Sequence, residues 1–170
     1  LYMLDLAGIP FRAEDRDEKY PIVIFGGPCM VNPAPVLPFA DLINIGEGEI
    51  TLPMLSGLFG EAKKKGMSKR EIIEKADSFE GFYAPQLHRD ADGYTYLREK
   101  KVVRKQKVKD LDTSFFPDRA IVSNLEVIHD RAVAELFRGC ANGCRFCQAG
   151  FIYRPVRERS PERVKELCVG

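Results

Sequence analysis

Three of the five cysteines, Cys140, Cys144 and Cys147, fall in the stretch Arg138-Gly139-Cys140-Ala141-Asn142-Gly143-Cys144-Arg145-Phe146-Cys147-Gln148-Ala149-Gly150. Their spacing is Cys-x3-Cys-x2-Cys, and the interspersed glycines let the backbone fold back so that three sulfurs can converge on one point. Thiolates are soft ligands that suit iron-sulfur clusters and zinc. A protein-held 4Fe-4S cluster ordinarily takes four of them, so three leave one iron with an open position where a substrate or cofactor can bind and react. A four-coordinate zinc would need Cys29, Cys168, His88 or His129 as its fourth ligand, and none of these lies at knuckle spacing from Cys140. A redox disulfide between Cys144 and Cys147 would leave Cys140 unexplained.

Two glycine-rich turns are the other places where chemistry can be imagined. Gly26-Gly27-Pro28 follows the apolar run Pro21-Ile22-Val23-Ile24-Phe25, and Gly46-Glu47-Gly48-Glu49 follows Leu42-Ile43-Asn44-Ile45. Runs of this kind are buried strands of a parallel sheet. Ligands of open α/β sheets bind at the carboxyl ends of strands, so Gly26, Gly27, Gly46, Glu47 and Gly48 define a candidate crevice. The plainer reading is that these glycines only make tight strand-to-helix turns. A basic run, with Arg98, Lys100, Lys101, Arg104, Lys105, Lys107 and Lys109 against Glu99, is a nucleic-acid patch or, more commonly, a solvated face. Nucleic acid is a partner that this run permits without favouring. Cys29 and Cys168 read as small buried hydrophobes, and His88 and His129 as structural or surface histidines. Arg145 and Arg154 read as surface charge.

These residues need elements to hold them. Leu1, Leu4 and Ala7 recur at helical spacing before the stop Gly8-Ile9-Pro10. Residues 12–19 are charged and read as a solvated connection. The proline-rich interval between the two apolar runs is long enough for a parallel crossover. Leu52, Leu55, Leu58, Phe59 and Ala62 mark a helix packed on the sheet, with Pro53 in its first turn. Ser68 and Glu71 form a capping box before Ile72, Ile73 and Ala76. Asp92-Gly93 is a hairpin signal that predicts strands around Phe82–Arg89 and Tyr94–Lys101. Leu111 to Asn124 is a connector, and Arg131 to Phe137 is ambiguous between helix and strand. Ser160 caps a final helix opened by Pro161, with Val164, Leu167 and Cys168 on one face.

Composition sets the outer bounds. With 170 residues, 45% hydrophobic and 30% charged, the chain has the make-up of a soluble globular protein of one or two domains. A net charge of +1 neither demands nor excludes a polyanionic partner. No apolar run approaches a membrane span, and the first residues lack a signal-peptide pattern. An odd cysteine count with three in one motif argues against a secreted disulfide framework and for a reducing cytoplasm. Leu1 opens inside an uncapped helical pattern and Gly170 follows a helix just begun, so a fragment of a longer protein is expected.

The motif Cys140-x3-Cys144-x-Phe146-Cys147, with its aromatic before the third cysteine, resembles the signature of the radical S-adenosylmethionine superfamily. The flanks Arg138-Gly139-Cys140, Cys147-Gln148-Ala149-Gly150 and Tyr153 to Glu162 resemble one uncharacterised branch, which joins an N-terminal cobalamin-binding-like domain to a radical domain. Leu4 to Pro10, Gly26-Gly27-Pro28-Cys29 and Gly46-Glu47-Gly48-Glu49 resemble it too. The resemblance implies an α/β fold with three parts. Residues 1–77 would be the C-terminal part of a partial doubly wound, cobalamin-binding-like domain. Residues 78–124 would be a β-hairpin linker, and residues 125–170 the first β/α unit of a partial (β/α) radical barrel. It assigns Ala132 to Phe137 to the barrel's first strand.

It also implies that Cys140, Cys144 and Cys147 hold a 4Fe-4S cluster whose open iron chelates S-adenosylmethionine. An external electron donor would then trigger reductive cleavage to a 5′-deoxyadenosyl radical acting on an unknown substrate. Phe146 would pack near the adenine. Cobalamin is a candidate second cofactor, although the Asp-x-His-x-x-Gly signature of a histidine-ligated corrinoid is missing around His88 and His129. Motifs that complete the S-adenosylmethionine site would lie on later strands, so the fragment alone is expected to be inactive. From another class, the competing expectation is a non-catalytic zinc or iron-sulfur module, at a nucleic-acid surface through residues 98–109.

Overall fold

The structure, a computed structural model, describes residues 1–90, 93–94, 102–117, 124–125, 128 and 133–169. The chain divides into two compact units, Leu1–Lys107 and Val108–Gly170. It is mixed α/β, with small sheets and several helices.

The first unit is built on strands β1 (Ile24–Phe25), β2 (Leu42–Asn44) and β3 (Phe82–Tyr83), in that spatial order. β1 and β2 are parallel, with Ile24 opposite Leu42 and Phe25 opposite Ile43, as the apolar runs predict. β3 joins antiparallel, pairing Tyr83 with Ile43. Prolines 28, 33, 35 and 38 remove donors that an α-helix needs, so the crossover is made of two 3₁₀ turns, Pro28–Val31 and Ala34–Phe39.

Successive strand residues point to opposite faces, and this splits the core in two. Leu42, Phe82 and Ala84 pack with Leu55, Leu58 and Ala76 from helices α2 (Gly48–Lys65) and α3 (Lys69–Asp77). Ile43, Ile45 and Tyr83 pack instead with Met30, Leu37 and Ala40 of the crossover. The capping box is present: Ser68 Oγ accepts from the Glu71 amide at 3.3 Å, and the Ser68 amide donates to Glu71 Oε2 at 2.7 Å.

Several local expectations are corrected. α2 starts at Gly48, which places Pro53 inside the helix rather than in its first turn. Its buried stripe is Thr51, Leu55, Leu58 and Ala62, so Leu52 and Phe59, one position further round, are exposed. The strand expected over Phe82–Arg89 is interrupted because Pro85 opens a 3₁₀ turn, Pro85–His88. A separate ribbon follows, β4 (Arg89–Asp90) against β5 (Gly93–Tyr94), flanking the Asp92-Gly93 signal. Residues 95–101 of the second expected strand lie outside the described residues.

The segment read as a solvated connection is anchored instead. After the short helix α1 (Tyr2–Leu6), Ala13 is buried in the 3₁₀ turn Ala13–Asp15, and Arg16 is 6% exposed. The Arg16 guanidinium donates to Asp41 Oδ2 at 3.1 Å and to the carbonyls of Pro10, Phe11 and Phe39 at 2.8–2.9 Å. Charge density along a sequence does not reveal that one cation meets four acceptors in the folded chain.

The second unit contains an antiparallel pair, β6 (Phe137–Arg138) and β7 (Arg157–Glu158), with Phe137 opposite Glu158 and Arg138 opposite Arg157. Between them lie the cysteine stretch and the short helix α4 (Ala149–Ile152). Helix α5 (Pro161–Val169) follows, with Ser160 Oγ accepting the Arg163 amide at 3.1 Å as its sequence signal predicts. The strand expected over Ala132 to Phe137 overlaps β6 only at Phe137. The described residues 133–136 are irregular, although the Leu136 carbonyl accepts the Arg159 amide at 2.9 Å just beyond the ladder.

Candidate metal centre

The cysteine loop is closed at its neck by backbone packing. Gly139, directly after β6, has φ +102°, and a side chain there would meet the carbonyl oxygens of Tyr153 and Pro155 and the Val156 Cα at 2.9 Å. Only glycine combines that dihedral with so close an approach. Further round, the Asn142 carbonyl oxygen lies 2.7 Å from where a Gly150 side chain would begin. The loop therefore returns on itself, and the Cys147 amide donates to the Cys144 carbonyl at 3.2 Å.

All three cysteines are free thiols. Cys144 is exposed, while Cys140 and Cys147 are half-buried. Among the described residues, no three His, Cys, Asp or Glu side chains are gathered tightly enough to hold one ion. The donor set nevertheless suits a soft-metal cluster: three sulfurs on one short loop, none tied in a disulfide. Metal sites are commonly completed by the metal itself, since three thiolates repel one another until a cation neutralises them. Phe146 is 92% exposed beside Cys147 and is free to cover a bound group. Arg145 and Arg154 are exposed, and the Arg154 guanidinium stacks 5.0 Å from the Phe151 ring.

Residues that sequence reading passed over hold the base of this loop. Glu135 accepts from Arg138 Nε at 2.6 Å and from Arg138 Nη2 at 3.1 Å, and its Oε2 also accepts from Arg159 Nη2 at 2.9 Å. Burial pushes the Glu135 carboxyl upward, but the hydrogen bonds from Arg138 and Arg159 outweigh it and hold its pKa below the ordinary glutamate value. Arg159 is buried, bonds the Leu111 carbonyl and lies over the Phe116 ring at 5.2 Å. Arg157 donates to the Val108 carbonyl at 2.6 Å, and the Ser160 amide to Asp112 at 2.9 Å. The only hint in the sequence is the alternation Arg157-x-Arg159, which places both side chains inward once β7 and its extension are extended.

The glycine turns behave differently from one another. Gly46 (φ +155°) forms a parallel bridge to Gln106, whose carbonyl oxygen and amide nitrogen lie 2.6 and 2.8 Å from where a Gly46 side chain would begin. The Glu47 amide donates to that carbonyl, and the Gln106 amide to Ile45. Gly48 begins α2, with Glu47 as its N-cap. At Gly27 the space is open, with nothing within 4 Å, and Gly26 faces Asn44 at 3.8 Å. A cavity of about 110 Å³ lined by Phe79, Gly81, Phe82 and Val103 is smaller than an ordinary cofactor site.

Of the remaining candidates, Cys29 and Cys168 are exposed rather than buried, because neither the 3₁₀ turn nor the outer side of α5 meets a core at those positions. His88 is structural: its Nε2 sits 3.0 Å from Asp77 Oδ2, and its ring stacks on Tyr83 at 4.9 Å. His129 and residues 98–101 of the basic run lie outside the described residues. No described helix is long and apolar enough to cross a membrane.

Comparison with known proteins bears on the other half of the chain. A family model described as radical SAM proteins, N-terminal, matches residues 1–85. An uncharacterized protein of Methanocaldococcus jannaschii is 29% identical over 158 residues, which cover 91% of this chain and 30% of the relative. The chain thus spans under a third of the length of the curated relative it matches. No solved structure matches. The family match ends well before Cys140, so it and the cysteine spacing are separate observations.

Proposed function

The chain belongs to the radical SAM protein family, and on that premise we propose that Cys140, Cys144 and Cys147 hold a 4Fe-4S cluster in a radical S-adenosylmethionine enzyme. The observation that carries this reading is the set of three free thiols on one loop whose neck is closed at Gly139. When bound, such a cluster supplies, from an external donor, the electron that cleaves S-adenosylmethionine reductively. The chain's own residues would do the positioning: the three thiols would bind the irons, the glycine neck holds the loop, and exposed Phe146 would cover the adenine. The substrate belongs to parts of the enzyme outside this chain. Free thiols on an exposed loop suit a reducing compartment, the cytoplasm.

A partial (β/α) barrel beginning in the second unit is the finer fold reading. Its support is β6 running directly into the cysteine loop with a helix beyond; the antiparallel partner β7 is a local addition on this reading. A corrinoid on the first unit is the finer reading of the glycine turns. Its support is the parallel pair β1 and β2 ending in glycines, with open space at Gly27. Gln106 already fills the approach to Gly46, which reduces the candidate crevice to Gly26 and Gly27.

Anaerobic reconstitution of the intact protein tests the principal reading. Iron and sulfide uptake, brown absorbance and a reduced-cluster paramagnetic signal that changes on adding S-adenosylmethionine are expected, and all should vanish in Cys140→Ala. Uptake of one zinc and no iron would replace the enzyme with a metal-pinned binding module. Retention of hydroxocobalamin after gel filtration decides the corrinoid reading.

A further inference from the structure

We propose that Glu135 and Arg159 are positioning residues for the cysteine loop: a half-buried ionic clasp that fixes Arg138 and thereby the direction in which the chain enters Cys140. This rests on the cluster reading above and adds to it the groups that set the loop's shape.

The loop between β6 and β7 carries all three cysteines, so its stem decides where their sulfurs start. The stem has only two residue pairs in its ladder, Phe137 with Glu158 and Arg138 with Arg157, extended by the Arg159 amide donating to Leu136. A two-residue ribbon is not stable by itself. What reinforces it is Glu135, which takes both nitrogens of one side of Arg138 and one of Arg159. Bidentate carboxylate–guanidinium pairing fixes orientation as well as distance. The side chains of Arg159, Arg138 and Glu135 are 0%, 16% and 23% exposed, so water screens the contact only in part. Arg159 is in turn anchored to the Leu111 carbonyl and the Phe116 ring, which makes the 111–116 segment the fixed wall behind the clasp.

One consequence for the thiols follows. Arg138 is two residues from Cys140, and Gly139 packs directly on the backbone of Tyr153 to Val156, so loosening the Glu135–Arg138 pair loosens the neck there. The clasp therefore restrains the stem of the loop, reducing what must be ordered on binding.

The test compares intact wild-type protein with Glu135→Gln and Arg159→Lys in two assays. In the metal-free state, maleimide alkylation is followed at each cysteine by mass spectrometry. Cys140 is expected to react severalfold faster in both variants, with exposed Cys29 and Cys168 as unchanged references and the thermal midpoint reporting on the fold. In the reconstituted state, iron loss to a chelator is expected to be about tenfold faster, the scale seen when groups that orient metal ligands are removed. Glu135→Asp, which retains the carboxylate, should recover part of both effects. Wild-type rates in both variants would overturn the clasp, as would an equal change at every cysteine. If the wild type takes up no cluster, the cluster reading falls, and the alkylation assay still decides whether the clasp orders the loop.

Discussion

The Arg16 guanidinium and the Asp41 carboxylate meet at 3.1 Å with their side chains 0% and 4% exposed, pinning the segment before β1 to the start of β2. Asp41 Oδ2 also accepts the Val23 amide at 2.7 Å and faces Lys69 Nζ at 3.6 Å. Removing one partner of such a pair strands the other charge away from water. Asp41→Asn is expected to destabilise the first unit by about 3–5 kcal/mol in urea denaturation. Arg16→Met combined with Asp41→Leu should recover only part of that loss, because Lys69, the Val23 amide and the carbonyls of Pro10, Phe11 and Phe39 still lose their partners.

The two glycines flanking Cys140 and Cys144 should behave oppositely. Gly139→Ala must place a side chain 2.9 Å from three backbone atoms at φ +102°, and the neighbours are main chain and cannot rotate away. Gly143 has nothing within 4 Å. Iron bound per protein after reconstitution should fall severely in Gly139→Ala and stay near the wild-type value in Gly143→Ala.

Gly46→Ala tests the strap over β2. A new side chain would begin 2.6 Å from the Gln106 carbonyl oxygen, so a cost of about 1–3 kcal/mol is expected. Gln106→Ala should fail to rescue it, since the obstructing oxygen belongs to the backbone. Recovery of wild-type stability in the double variant would show that the strap moves freely.

Glu61 gives the acid response. Its carboxylate accepts from Lys65 and from Lys75 of α3 at 2.6 Å each, and these hydrogen bonds, Lys65 first, lower its pKa from 4.5 to about 2. A carboxyl whose folded pKa is depressed favours the folded state above its unfolded pKa, and that contribution is lost as pH falls through the folded value. The stability of the α2–α3 pair should therefore decline between about pH 4.5 and 2. Glu61→Gln should flatten that part of the curve in thermal scans, by a small amount because the pair is largely open to solvent.

Local patterns carried much of the reading. The cysteine spacing is visible because cysteine is rare and its ligand geometry is short-range. The Ser68 and Ser160 caps depend on residues three positions away, and the parallel pair β1 and β2 announces itself through two apolar runs that end in glycine. What each residue meets across long stretches of chain was decided only by tertiary structure. Arg16 and Asp41 are separated by 25 residues, Arg159 and Glu135 by 24, and Arg157 and Val108 by 49. No periodicity links such pairs, so a charged run looked solvated and the clasp behind Cys140 was invisible. Likewise, Gly46 and Gln106 are brought together where the chain runs on past the last β1–β2 pair, Phe25 with Ile43, and the Ile45 carbonyl and Glu47 amide take Gln106 as their partner. The sequence by itself determined which side chains could bind a soft metal; the packing of distant backbone and buried arginines decided how the loop that bears them is held.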